Sequence, residues 1–188
     1  MSTPFTRHPA EGADVPRLAG EHWIETLNDG SHVLIRPIRP EDRALESEFI
    51  ERLSAESKRF RFLGEMRDVS PALLDQWVNV DYRTDMAFVA LVHDNGVLRE
   101  VGVSRYSASG DNQHCECAVT VADDWRHRGL GVLLMRHLID VARRNGFHQM
   151  FSMDAACNEA MRDLASYLGF DRKRDPRDAA QVIHTLEL

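Results

Sequence analysis

The residues with the most chemical content lie between 114 and 131. In His114-Cys115-Glu116-Cys117-Ala118 a carboxylate sits among small apolar residues. Partial desolvation there would raise its pKa and make Glu116 a candidate proton acceptor. A solvent-facing strand glutamate is the alternative. A few residues on, Val121 closes an apolar run, and Ala122-Asp123-Asp124-Trp125-Arg126-His127-Arg128-Gly129-Leu130-Gly131 turns into an amphipathic stretch. Glycine permits tight turns and close backbone approach. The first N–H groups of a helix are unpaired and carry a partial positive charge. With Arg126 and Arg128 beside them, the loop has the chemistry of a pyrophosphate cradle. It is neither a P-loop, for no lysine stands near it, nor a dinucleotide fingerprint, because Leu134 occupies the place of the third glycine.

The elements that would position this loop follow from periodicity. Trp23–Leu27 and His32–Arg36 flank Asn28-Asp29-Gly30-Ser31, and Asp-Gly between β-rich runs signals a hairpin. Pro40 with Glu41 and Asp42 starts a helix whose apolar face is Leu45, Phe49 and Leu53. A second helix begins near Ser70-Pro71. Met86–Val92, Val97–Tyr106 and His114–Val121, joined by Asn95-Gly96 and Gly110-Asp111-Asn112, read as an antiparallel meander. A helix from about Gly131 to Asn145 carries Leu134, Leu138 and Val141, and ends with Arg143, Arg144 and then Gly146. Gln149–Met153 is a strand, Asn158–Tyr167 a helix, and Phe170 and Gln181–Leu188 supply the last strands. Residues 171–178 read as a charged, solvated loop. Strand–helix–strand across 114–153 demands a parallel pair. The expected fold is one α/β domain with a mixed sheet and helices on both faces, residues 21–188, behind a flexible arm at 1–20.

Composition narrows the partners. The chain has 188 residues with 23 Lys+Arg against 30 Asp+Glu, a formal charge of −7. No clustered basic patch supports nucleic-acid binding. No run of about 18 apolar residues could span a membrane. Three cysteines, Cys115, Cys117 and Cys157, cannot build a disulfide framework, so a reduced, cytoplasmic setting is expected. Alternation along a strand spreads residues 114–117 over two faces, so they do not form a metal site, and no metal is expected.

Arg126-x-x-Gly129-x-Gly131 after an apolar strand resembles the acetyl-coenzyme A motif of the GNAT superfamily of N-acetyltransferases. The order of elements agrees over roughly 23–188, and Asn158 followed by Gly169-Phe170 resembles the family's later motif. Ile35–Asp42, Ser54, Ser57, Arg59, Phe60, Phe62 and Asp81-Tyr82 resemble the subgroup that acetylates protein lysines. The resemblance implies that the two parallel strands splay and that the pantetheine arm of acetyl-coenzyme A lies in the gap, paired with main chain near Val119 and Val121. The pyrophosphate would rest on N–H groups of Arg126, His127, Arg128, Gly129, Leu130 and Gly131. Asn158 would reach the acetyl end, act as a helix N-cap, or do both.

An amine acceptor sets a chemical demand. A lysine with pKa near 10.4 is neutral in only about one part in 10³–10⁴ at pH 7, so transfer needs a base. The resemblance assigns that role to Glu116. The tyrosine that many family members place seven residues after the asparagine is Ala165 here. Tyr167 is two residues off, about 200° round a helix, which leaves the acid unassigned. Three functions follow: transfer to a protein lysine, transfer to a small amine, and acyl-coenzyme A sensing without chemistry.

Overall fold

The computed structural model describes Leu18, residues 20–63 and residues 69–188. Most of the expected N-terminal arm therefore lies outside the described residues, though Leu18 is 4% exposed and packs into the core. The elements run β1 (Trp23–Thr26), β2 (His32–Pro37), α1 (Arg43–Arg52), α2 (Ala55–Arg61), α3 (Pro71–Val78), β3 (Asp85–Asp94), β4 (Val97–Ala108), β5 (His114–Val121), α4 (Leu130–Arg144), β6 (Gln149–Ala155), α5 (Glu159–Leu168), β7 (Asp171–Arg174) and β8 (Gln181–Glu187). They build one eight-stranded mixed sheet in the order β1-β2-β3-β4-β5-β6-β8-β7. Among the described residues the single parallel pair is β5–β6, as the crossover requires.

Turn chemistry fixes the meander. Asn95 (φ 51°) and Gly96 (φ 82°) both take left-handed backbone, the requirement of a two-residue hairpin between twisted strands. β3 is buried from Met86 to Val92, so it is covered on both faces. α4 covers one face with Leu130, Leu134, Met135, Leu138 and Val141. It approaches β4 closely because residue 102 is glycine: a Cβ there would stand 2.9 Å from Leu134 Cδ1. α1 and α2 cover the other face, over β4 and β5 respectively.

Two expectations need correction. The chain forms a helix, α2, that periodicity did not reveal. Leu53 turns extended (ψ 140°) and Ser54 then caps a new helix by accepting from Ser57 N. The charged stretch 171–178 is not all loop: Asp171–Arg174 is an edge strand on β8. Its residues are exposed, and charge on an edge strand blocks further pairing.

A polar layer lies between α1 and the sheet. Arg36 donates twice to Asp42 at 2.6 Å. Arg105 donates to Glu46 at 2.9 Å, and Glu46 stands beside Glu100, which is 0% exposed. Burial first, then the Glu46 charge, pushes the Glu100 carboxyl well above the usual range, which favours its protonated form.

Candidate active site

β5 and β6 pair at three positions only, His114↔Gln149, Cys115↔Met150 and Glu116↔Phe151. Beyond them the strands part, while β5 stays paired with β4 and β6 with β8. The main-chain groups that face the gap follow from alternation. His114 O accepts from Ser109 and Ala122 N–H donates to Val101, so even-numbered residues of β5 bond toward β4. The N–H and C=O groups of Val119 and Val121 therefore turn toward β6, into the gap, and among the described residues no strand meets them there.

A cavity of about 470 Å³ occupies this gap. Glu116, Val119, Val121, Arg126, His127, Gly129, Leu130, Gly131 and Asn158 all line it. Arg128 does not: its guanidinium donates to Asp29 at 2.9 Å and to Asp124 O at 2.8 Å, and stacks on Trp125. Glu116 is exposed at this cavity, so the desolvation expected from its small neighbours is absent; those neighbours lie in the sheet, and the carboxylate projects from it.

The cradle is built by backbone conformation. His127 (φ 60°) and Gly129 (φ 87°) are both left-handed, a pattern that turns nearby N–H groups toward a common point. No side chain caps α4, so the N–H groups of Leu130 and Gly131 remain for an anion. A Cβ on Gly131 would reach only ordinary contact, 3.4 Å from Leu164, so the backbone tolerates a small side chain there but the cavity loses the space. These features fit a phosphorylated, amide-bearing ligand such as acetyl-coenzyme A. Residue 129 is held from behind, where the Asn28 side chain would lie 3.1 Å from an added Cβ and Asn28 N donates to Arg128 O at 3.0 Å.

Asp123 ties the loop to α2. Its carboxylate accepts from Ser54 N at 2.9 Å, Ser54 Oγ at 3.0 Å and Ser57 Oγ at 2.6 Å, and pairs with Arg126 at 3.1 Å. Arg126 in turn donates to Ser57 Oγ at 2.6 Å. Asn158 is the N-cap of α5, accepting from Met161 N at 3.2 Å, and it also lines the cavity. Ala165 is 1% exposed in the core. The residues of α5 that line the cavity are Ala160, Met161, Asp163, Leu164 and Tyr167. Tyr167, on the opposite face of α5 from Ala165, stands at the cavity rim, 67% exposed, with Arg136 over its ring.

Other lining residues carried no separate sequence signal. Asp154 on β6 accepts from Ser152 Oγ at 2.6 Å, and burial raises its carboxyl pKa. Arg61 on α2 joins the wall from the Glu116 side. Among the described residues no three His, Cys, Asp or Glu side chains gather as a metal set, and no helix is long and apolar enough to cross a membrane.

A parallel pair opening at its carboxyl end onto an uncapped helix N-terminus defines the class. Residues 48–170 match the acetyltransferase (GNAT) family, and the chain belongs to that family. It is 62% identical over 169 residues to Acetyltransferase PA5475 of Pseudomonas aeruginosa, covering 90% of this chain and 91% of that one. It is 30% identical over 144 residues to Acetyltransferase Pat of Mycolicibacterium smegmatis, covering 76% of this chain but only 42% of that longer protein. Among solved structures, the GNAT domain of S. lividans PAT superposes with a TM-score of 0.81 at 23% identity, over 89% of this chain and 97% of that one.

Proposed function

We propose that this protein is an acetyl-coenzyme A-dependent N-acetyltransferase whose acceptor is an amine, with a protein lysine favoured. The observation that carries the reading is the β5–β6 gap: it stops pairing at Glu116 and runs to the α4 N-terminus. Within it, Val119 and Val121 main chain would meet the pantetheine amides. N–H groups from Arg126 to Gly131 would hold the pyrophosphate, and the Asn158 amide would face the acetyl end. Bound there, acetyl-coenzyme A supplies an activated thioester carbon. The acetyltransferase unit is residues 21–188, and three free thiols suit a reduced, cytoplasmic setting.

Glu116 receives the acceptor's proton, directly or through a water, so that the neutral nitrogen attacks. Removing that proton in solution at pH 7 costs roughly 4–5 kcal/mol for an ordinary lysine. An exposed carboxylate at a cavity suits an acceptor that arrives from solvent on a flexible side chain, which supports a protein lysine over an enclosed small amine. A thiolate with pKa near 8.5 leaves without obligatory protonation, so no acid is required. Labelled acetyl-coenzyme A incubated with the protein and a lysate of the source cell tests the reading. Labelled proteins support it; label in small amines moves the acceptor; no label reduces the protein to a binding module.

A further inference from the structure

Arg61 has no role in the reading above, and its surroundings are unusual. It reaches the cavity wall from the last turn of α2, on the side of the sheet that carries Glu116. Among the described residues it has no hydrogen bond or ion pair to a carboxylate. Its guanidinium instead lies 5.3 Å from the Trp77 ring centroid, and Arg105 takes another approach to the same ring at 4.8 Å. Stacking on an indole fixes the plane of a guanidinium and leaves its N–H edge free for a planar anion. Burial and then the Arg105 charge hold its pKa down to about 10, so it remains a cation at neutral pH; Glu46 and Glu116 act on it through space, but among the described residues neither forms an ion pair with it.

Arg105 does not share this situation, since Glu46 accepts from it at 2.9 Å. Arg126 does not either, because Asp123 and Ser57 hold it. Arg61 and Glu116 interact through space, yet among the described residues no ion pair joins them. One cavity therefore presents a carboxylate and a separate cation. The complementary molecule carries an ammonium and a carboxylate, because each charge then meets its opposite.

We propose that Arg61 is a specificity-determining residue that binds a carboxylate of the acceptor while the acceptor's amine lies at Glu116. The carboxylate belongs either to an acidic side chain flanking a protein lysine or to an amino acid itself; the recognition chemistry is the same. This inference rests on the acetyltransferase reading and deepens it.

The test measures acetyl transfer by the whole chain to paired acceptors that differ only in the anion. One arm uses lysine peptides with Glu or Gln beside the lysine. The other uses 6-aminohexanoate and its amide. The anionic member is expected to have a kcat/KM about 10- to 100-fold higher in at least one arm, the size of one charged bidentate contact. The arm that shows the preference names the source. Arg61→Gln should bring that ratio close to one, whatever happens to the rate itself. Arg61→Lys should leave an intermediate ratio, since it keeps the charge and loses the fork. A wild-type ratio near one in both arms overturns the proposal without any variant having to fold. So does an unchanged ratio in Arg61→Gln. A preference for succinyl- over acetyl-coenzyme A that Arg61→Gln abolishes puts the carboxylate on the donor and also overturns it. Titration with coenzyme A separates the two levels. If coenzyme A does not bind, the acetyltransferase reading itself fails. If it binds and the anionic acceptors gain nothing, or none is acetylated, only the assignment of Arg61 falls.

Discussion

Asp29 and Arg128 stand 99 residues apart in the sequence and meet as an ion pair at 2.9 Å. The contact joins the first hairpin turn to the loop that enters α4. On its other side the same loop is held by Asp123, through Ser54 and Ser57 of the α2 entry. The cradle is thus clamped between two segments far from it in sequence. The clamps are unequal. Both members of the Asp29–Arg128 pair are exposed to solvent, which screens their attraction, so the pair adds little. Asp29→Asn should change coenzyme A affinity by less than about fivefold, measured by titration calorimetry.

Asp123 has more to lose. Removing it leaves Ser57 Oγ, Ser54 N and Arg126 without their shared acceptor. Asp123→Ala should lower unfolding stability by about 1–3 kcal/mol, the cost of breaking charge-assisted bonds at a partly buried site. It should also weaken coenzyme A binding, because Arg126 then loses its orientation. Urea melts with and without coenzyme A measure both effects. Equal stability in the variant would show that the cluster is incidental to the fold.

Gly131 is predicted to matter for ligand space and not for backbone conformation. Gly131→Ala should fold, since its Cβ makes ordinary contacts with Leu164 and Val121. Gly131→Val adds carbons toward the cavity and should weaken coenzyme A binding by more than about tenfold. Calorimetric titration decides; unchanged affinity would move the pyrophosphate elsewhere.

Glu116→Gln should leave coenzyme A affinity nearly unchanged and lower turnover by about 10²–10⁴ at neutral pH. The loss should shrink toward pH 10 as the acceptor becomes neutral unaided. Rates of both forms between about pH 6 and 10 check this. A loss equal at every pH would make Glu116 a positioning residue.

Glu100 gives a stability signature apart from catalysis. Its folded pKa lies above its unfolded value, so its proton favours the fold. That contribution is complete below the ordinary carboxyl pKa and is lost as pH rises through the raised one. Glu100→Gln cannot ionise. Its melting temperature should match wild type near pH 4 and exceed it increasingly at higher pH. Parallel pH curves would show that Glu100 ionises as freely in the folded chain as in the unfolded one.

Much of this architecture is legible in local chemistry. Asn95-Gly96 announces its hairpin, the leucine stripe of α4 and its closing Gly146 are continuous, and the parallel β5–β6 pair follows from strand–helix–strand order. α2 is illegible for a physical reason. Its seven residues, Ala55–Arg61, are mostly polar, and it is anchored by a carboxylate 66 residues from Ser57. β7 hides similarly: Asp171–Arg174 pairs through its backbone, so its side chains show only solvent exposure. Within the site, Arg126–Gly131 is a contiguous signal, whereas Arg61 and Asp154 reach the cavity only after the sheet has brought three remote segments together. Ala165 and Tyr167 do lie on opposite faces of α5, as their spacing implies; which of those faces meets the cavity depends on how α5 docks, and that is not written in the spacing.

The three rungs between β5 and β6 make the sheet two plates, β1 to β5 and β6 to β8, joined by a short weld. A ligand with amides along its length supplies the rungs that the second half of the weld lacks. On the proposed reading the co-substrate would then be a structural member as well as a reactant. Amide hydrogens of Val119 and Val121, which point into the gap, should exchange rapidly in the free protein and slow markedly with coenzyme A, while those bonded toward β4 change little. If the proposed co-substrate fills the gap, the free protein should also be cut faster by added protease than the coenzyme A-bound one, so that occupancy of the cleft bears on the chain's persistence as well as on its chemistry.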